Sequence, residues 1–338
     1  MDRLLDNLWV QNALVVFGFG LVAFLIWSGS RNERWQRAFA RLKRDRIGVV
    51  SGIVIVIYLL IGALDMVRIP DQSLSAGPTV MELLTKQVPV EKSYSAPLAR
   101  MTLSVAKPEP VEGRHLLGTD TLGKDTLVQT LKACRTALII GGLTSAIYIP
   151  VGALLGILAG YFRRRADDVI QYVYSVVSSI PDILLLVSIL MVLGKSLTNM
   201  SVALGITNWV GLCRLLRGET MRQTQRPYVD AARTIGLSHW RIITRHLLPN
   251  VMHLVLINFV LGFSGLILAE ATLSYLGVGA PVGTASWGAM IDSARNELSR
   301  QPVVWWNLTA ATTALFFLVL SLNLFSDALR RAFSPRRG

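Results

Sequence analysis

Long apolar runs alternate with short polar stretches along most of this chain. Val10–Trp27, Ile47–Met66, Ala137–Tyr161, Val169–Leu193, Ser201–Leu216, Val251–Tyr275 and Val303–Phe325 are the apolar ones. Each approaches or exceeds the ~20 residues that a bilayer core demands of a helix. The fifth is the weakest, because Asn208, Trp209 and Arg214 interrupt it. The pattern predicts an all-α polytopic membrane protein of about seven transmembrane helices. Three features mark individual spans. Gly152, Gly156 and Gly160 repeat a small-xxx-small spacing, which lets helix backbones approach closely in lipid. Pro181 and Asp182 lie in the middle of the fourth run. An acid at that depth faces protein or a water-filled path. Asp182 is therefore either a pore-lining residue or an acid satisfied beside a proline kink. Glu270 and Ser274 lie near the outer end of the sixth run and join Asp182 as candidates for a translocation path.

Composition agrees with this reading. The 338 residues are 52% hydrophobic and 16% charged, with mean hydropathy +0.49. Soluble domains average about 45–50% apolar and 25% charged. The net charge of +13 would also suit nucleic acid, but membrane insertion concentrates Lys and Arg in cytoplasmic loops. In the seven-span arrangement the short cytoplasmic segments hold 21 Lys and Arg, and the short external segments hold 4. The N-terminus is then outside and the C-terminus inside. Met1–Asn7 is slightly acidic, unlike the basic start of a signal peptide, so Val10–Trp27 is expected to be a retained helix. Trp9 and Trp27 suit its two interfaces. Cys134 and Cys213 match no paired motif. No P-loop and no H-E-x-x-H occur, so neither a nucleotide site, a metal site nor a catalytic site is expected.

Two polar stretches carry most information. The first is Tyr228–Pro249. Pro227 suits a first helical position. Tyr228, Ala231, Ala232 and Ile235 share one apolar face, and Gly236 suits a left-handed helix stop. Ser238 suits the cap of a second short helix, to be interrupted at Pro249. His239, His246 and His253 recur at sevens, and a role at lipid headgroups is their plain reading. The second stretch is His115–Leu127, at the end of a long proline-rich segment. There Thr119 or Asp120 can cap a helix carrying Leu122, Leu127, Leu131 and Cys134. Asp120 and Asp125 are read as capping and pairing groups, not as an acid–base pair.

These stretches carry a family resemblance. Asp230-Ala231-Ala232, Gly236, Ile243 and Leu248-Pro249 resemble the EAA motif of bacterial ABC-importer permeases, with Asp230 where Glu is usual. Gly118-Thr119-Asp120, Gly123, Lys124 and Asp125 are similar to the Gly-Thr-Asp-x-x-Gly-Arg-Asp signature of C-type peptide permeases. Leu268–Gly279 and Ser286–Met290 also look like peptide-permease sequence. The resemblance implies the ABC-importer type I permease fold, as a six-helix core preceded by one extra helix. Residues 1–46 would be that helix and its basic lead-in. Residues 47–136 would be the first core helix and a periplasmic segment, and residues 137–338 the permease core with coupling helices at 221–249. It further implies an inner-membrane heterodimer with a B-type permease, two ATPase subunits that bind ATP and Mg, and a periplasmic binding protein. No cofactor belongs to this chain, and lipid rather than nucleic acid surrounds it. Coupling falls to Tyr228, Asp230, Ala231, Ala232, Gly236, Leu237, Ile243, Leu248 and Pro249. Peptide is the implied substrate, with nickel or another small solute open. An ion-coupled secondary transporter using Asp182 and Glu270 is the other class, but it needs no docking loop and commonly shows inverted repeats. A membrane-embedded enzyme would want clustered His or carboxylates within the spans. A reporter active only in the periplasm should give signal when fused to the N-terminus and none when fused to the C-terminus. A cytoplasmic N-terminus would break the seven-span arrangement.

Overall fold

The computed structural model describes residues 33–69, 77–103, 108–281 and 283–333. The expected first helix Val10–Trp27, its flanking tryptophans and the terminal Arg336 and Arg337 lie outside the described residues. Helices dominate the rest, joined by irregular segments with isolated β-bridges. The chain packs as two compact units. One is formed up to Ile139 together with Glu270 onward, the other by Ile140–Ala269.

The first unit begins with α1 (Glu33–Leu42) and α2 (Arg46–Met66). Asp45 caps α2 by accepting from the Ile47 and Gly48 amides, as an acid at a helix N-terminus should. Arg331 of α12 (Trp306–Phe333) reaches the same carboxylate at 2.7 Å. That guanidinium, then the Gly48 amide, holds Asp45 below the ordinary carboxylate range. A depressed folded-state value means the contact supports the fold at neutral pH and is lost only on acidification. α2 and α12 run antiparallel: Gly48 lies against Ala328, Gly52 against Phe325, and Tyr58 donates to the Ala314 carbonyl. α1 closes on the end of α12 through Trp35, whose ring meets Phe333 edge-on at 5.0 Å. The long segment after α2 holds one short helix, α3 (Val80–Leu84), with a capping box between Thr79 and Glu82.

α4 (Thr126–Phe162) continues from the first unit into the second. Its start differs from expectation. Asp125, not Thr119 or Asp120, is the cap, accepting from the Val128 amide at 2.9 Å. The reason is Gly123, whose φ of +71° ends a tight turn begun at Asp120 and keeps Leu122 out of the helix.

The second unit holds α5 (Arg164–Ser178), α6 (Asp182–Leu193), α7 (Leu197–Gln223), α8 (Pro227–Thr234), α9 (His239–Ile242) and most of α10 (Leu248–Tyr275). α5 and α6 meet at 82°, so the fourth run is a broken segment and not a straight span. Proline at 181 cannot donate to the ladder, and Asp182 takes the first position of the new helix, where its charge suits the exposed amides. α4 and α7 pack with backbones almost touching. A Cβ on Gly152 would meet the Trp209 carbonyl at 2.9 Å, one on Gly156 the Cys213 carbonyl at 2.7 Å, and one on Gly160 the Arg217 carbonyl at 2.6 Å. Both series ascend by four, so the two helices run parallel.

Among the described residues, four helices are long and apolar enough to cross a membrane: α2, α4, the continuous stretch His239–Tyr275, and α12. The bent pair α5–α6 makes a fifth if it counts as one span. α7 has the length but carries Arg214, Arg217, Glu219 and Arg222 in its second half. Gly156→Val should destabilise by at least the ~1–3 kcal/mol of an overpacked core, since backbone stands in the way. Gly142, which has open space beside it, is the control. Thermal unfolding in detergent should fall for Gly156→Val and hold for Gly142→Val. Equal midpoints would refute the close approach.

Candidate functional site: a two-helix loop and a polar block before α4

The loop after α7 folds as two short helices around Gly236. α8 starts at Pro227 and ends in a double hydrogen bond: the Gly236 amide donates to Arg233 and the Leu237 amide to Ala232. This is the Schellman arrangement, and it needs the left-handed φ that Gly236 adopts at +77°. A Cβ there would meet no atom of this chain within 4 Å.

The buried face of α8 is not the expected one. Val229 is fully buried and Ala232 nearly so, whereas Ala231 stays exposed and Ile235 is 74% exposed. Val229 and Ala232 are three residues apart and form the inward stripe. Asp230, Ala231 and Ile235 face out, together with Trp240 at 60% exposure. Tyr228 lies at the edge and donates to Gln223 Oε1 at 3.0 Å. Asp230 keeps an exposed contact to Arg233 at 3.5 Å. Ile243 and Leu247 are buried, Leu237 and Leu248 are half-buried, and Pro249 is exposed.

Pro249 does not interrupt the second helix. Ser238 occupies the cap position without a side-chain cap bond, α9 spans one turn, and Ile243–Leu247 winds as a π-turn directly into α10. The Leu248 amide reaches back five residues to Ile243. This widened turn makes room for a proline ring and its missing donor. Asn250 Nδ2 donates to the His246 carbonyl at 2.6 Å. His239 is not a bare surface group either. Its Nδ1 is 2.8 Å from the Tyr161 hydroxyl at the end of α4.

The polar block between α2 and α4 is built on the second motif. Thr119 Oγ1 accepts from the Ser95 amide at 2.6 Å and donates to the Ser93 carbonyl, while its own carbonyl accepts from Trp306 Nε1 at 3.0 Å. Gly118 and Gly123 both take positive φ, and each presses on backbone: the Ser95 and Glu91 carbonyls. Asp120 accepts from the Leu122 and Lys124 amides. Burial raises its carboxyl above the usual range, and those two amides oppose the shift. Asp125 has a second task besides capping. Its Oδ2 lies 2.8 Å from His115 Nδ1, and Glu91 Oε1 lies 3.0 Å from His115 Nε2. All three side chains are buried. Glu91 Oε1 also accepts from the Glu112 and Gly113 amides, so the contacts of this row serve the fold. No local pattern marks Glu91, or His115 as its partner.

The three path candidates separate. Asp182 is exposed at the start of α6. Glu270 is 3% exposed, and its Oε1 accepts from Ser274 at 2.8 Å and from Ser286 at 2.6 Å. Ser274 in turn accepts from the Ala280 amide, and Ser286 caps α11 (Trp287–Glu297). Glu270 and Ser274 thus fasten the turn after α10 to α11. Trp287, next in line, is buried and donates to the Thr130 carbonyl at 3.0 Å. Among the described residues, no group of three or more His, Cys, Asp or Glu is placed to hold a metal.

Residues 152–338 match the family described as binding-protein-dependent transport system inner membrane component. A di/tripeptide transport system permease protein, DppC of Pseudomonas aeruginosa, is 36% identical over 67% of this chain and 73% of its own length. The glutathione transport system permease protein GsiD of Pectobacterium atrosepticum is 34% identical over 66% of this chain and 73% of its own. The oligopeptide transport system permease protein OppC of Bacillus subtilis is 26% identical over 89% of this chain and 90% of its own. A solved chain of the MetNI methionine ABC transporter overlaps 62% of this chain and 97% of its own, at 21% identity and a TM-score of 0.47, too loose a match to fix the architecture.

The contrast between the acids can be measured. Cys134 and Cys213 are both buried, so the background is low. A water-soluble thiol reagent should label Asp182→Cys readily in the assembled transporter and at a rate that ATP changes. Glu270→Cys should stay protected until the protein unfolds. Equal labelling of the two would overturn the separation, and protection of position 182 in every state would leave it a packing role alone.

Proposed function

The chain belongs to the family of binding-protein-dependent transport system inner membrane components, and on that premise we propose that it is the C-type half of a peptide-translocating pair. It is a non-catalytic permease subunit of a bacterial ABC importer and resides in the inner membrane. The finer reading is a type I permease of seven spans, N-terminus out and C-terminus in, with an extra first helix and its lead-in at 1–46. Residues 47–136 supply the first core helix and periplasmic segment, and 137–338 the core. Its partners are a B-type permease, two ATPase subunits holding ATP and Mg, and a periplasmic binding protein.

Short peptides are the substrate class, because the relatives named for glutathione, di/tripeptides and oligopeptides share that chemistry. The path lies between the two permeases, with Asp182 facing it. Glu270 and Ser274 are committed to the turn after α10, where Glu270 Oε1 accepts from Ser274 and Ser286 and Ser274 Oγ accepts from the Ala280 amide.

The observation that carries the coupling assignment is the Gly236 turn. Gly236 stands between two short helices, and the face beside it holds Ala231, Ile235 and Trp240 in the open. An exposed apolar face beside a bare glycine suits close docking against another protein, here an ATPase cleft. Closure of the ATPases on ATP would pull the loop, and the spans would reorient around the path. The secondary-transporter reading leaves that face without a purpose.

Gly236→Leu is the decisive variant. A leucine in the left-handed region costs roughly 1–2 kcal/mol, and its bulk would stand between loop and partner. The spans should insert in normal amount, but the ATPases should no longer co-purify and uptake should be lost. Asp230→Ala should weaken both only mildly, since exposed charged contacts contribute about 1 kcal/mol or less. Uptake of radiolabelled alanine peptides, from dipeptide to pentapeptide, is the second readout. Wild-type association and uptake in Gly236→Leu would remove the coupling assignment.

A further inference from the structure

Tyr161 is a side chain that both short helices of the loop grip. It is the penultimate residue of α4 and is 6% exposed. From α9, His239 Nδ1 sits 2.8 Å from its hydroxyl, and the imidazole packs edge-on with ring centroids 5.6 Å apart. The same imidazole meets Phe162 edge-on at 5.7 Å. From α8, the Arg233 guanidinium lies over the Tyr161 ring, 5.6 Å from its centroid. These helices flank Gly236, so any pull on the turn reaches Tyr161 from two sides.

What lies behind Tyr161 is stiff. Gly160, its neighbour, is where α4 touches the Arg217 carbonyl of α7, and Gly156 and Gly152 repeat that contact at each turn above. Arg163, two residues on, donates to the Met221 carbonyl at 3.2 Å and to Thr224 Oγ1 at 3.0 Å, fixing the end of α7 as well. α4 and α7 therefore move together. The other route from the loop is direct, along the chain into α10. That route passes through the π-turn Ile243–Leu247, a widened stretch of the kind that serves as a joint.

We propose that Tyr161 is the positioning residue that passes the loop's displacement to the α4–α7 pair, with His239 as its hydrogen-bonding partner. This rests on the coupling assignment above and goes beyond it by naming where the motion enters the spans. Neither residue touches substrate or nucleotide. Their contact sets how much of each ATPase stroke becomes movement of the path.

The test uses the whole transporter, this chain with its partner permease, ATPases and binding protein, in proteoliposomes supplied with radiolabelled alanine peptides. Tyr161→Phe keeps the ring and removes the hydroxyl. His239→Ala removes the partner from an exposed position. For Tyr161→Phe the ATPases should co-purify in wild-type amount and ATP hydrolysis should persist. Peptide moved per ATP should fall about fivefold, the equivalent of one net hydrogen bond of ~1 kcal/mol. His239→Ala should show a similar fall, and the double variant should be no worse than either single, because both remove the same contact. A merely structural role would lower the amount of complex and its thermal midpoint while leaving peptide per ATP unchanged. An unchanged ratio in Tyr161→Phe, or a double variant whose loss is the product of the singles, overturns the proposal. Should Tyr161→Phe fail to accumulate, the ratio in His239→Ala decides alone. Failure of the wild-type chain to hold ATPases would strike the coupling assignment itself, whereas intact association with an unchanged ratio strikes only Tyr161.

Discussion

Lipid offers helices no hydrophobic reason to leave it for one another, so spans hold together through close packing and a few polar contacts. The contact between α4 and α7 meets that constraint. Three glycines on α4 meet three carbonyls on α7, with separations that only a missing side chain permits. Approaches of this kind allow weak Cα–H···O contacts and dense dispersion along the whole seam. The helices are parallel, so the chain between them must travel back before α7 begins. The broken pair α5–α6 is the chain that makes that return. Its break at Ser179–Pro181 is the cost of turning by 82°.

The polar block between α2 and α4 solves a different problem. A long irregular segment carries many backbone polar groups and few helices to pair them. Here side chains do the pairing. Thr119 alone satisfies the Ser95 amide and the Ser93 carbonyl. Glu91, His115 and Asp125 form a buried row in which both ring nitrogens have a carboxylate oxygen within 3.0 Å. The row ties the segment together, because Glu91 Oε1 also takes two amides and Asp125 caps α4. Gly118 and Gly123 are the positions where the chain must turn against its own backbone. The signature Gly118–Asp125 is thus a turn, a cap and an anchor for Trp306.

How much was legible in advance follows from the distance over which each contact acts. The apolar runs, the glycine stripe and the Gly236 stop are local patterns. α2, α4, α10 and α12 overlap their apolar runs, whereas the fourth run breaks at Pro181 and the fifth lies within the longer, charge-bearing α7. The cap of α4 lies a few residues beyond the expected Thr119 or Asp120, because Thr119, Asp120 and Asp125 are all competent caps. Only the turn at Gly123 decides among them. Val229 rather than Ala231 or Ile235 faces inward, since periodicity names the apolar positions without saying which stripe turns inward. Pro249 predicts a break because proline removes a donor, and the π-turn that absorbs the loss leaves no residue-level mark. Tyr161 and His239 are 78 positions apart, and Glu91 and His115 are 24 apart. Such pairs exist only once the fold has formed.

The glycines of this chain divide by what stands where a side chain would be. At Gly152, Gly156 and Gly160 the space is filled by α7, so the chain itself accounts for the residue type. At Gly236 the chain supplies only the positive φ and leaves the space empty, while Ala231, Ile235 and Trp240 stand open beside it. A left-handed helix stop by itself asks for no apolar surround, and an apolar face by itself asks for no glycine. Their combination is what the proposed docking of this loop rests on. The buried side of α8, held by Val229 and Ala232, and the grip of Arg233 and His239 on Tyr161 give that surface a firm backing. A loop that was only a connection would need neither the open face nor the backing.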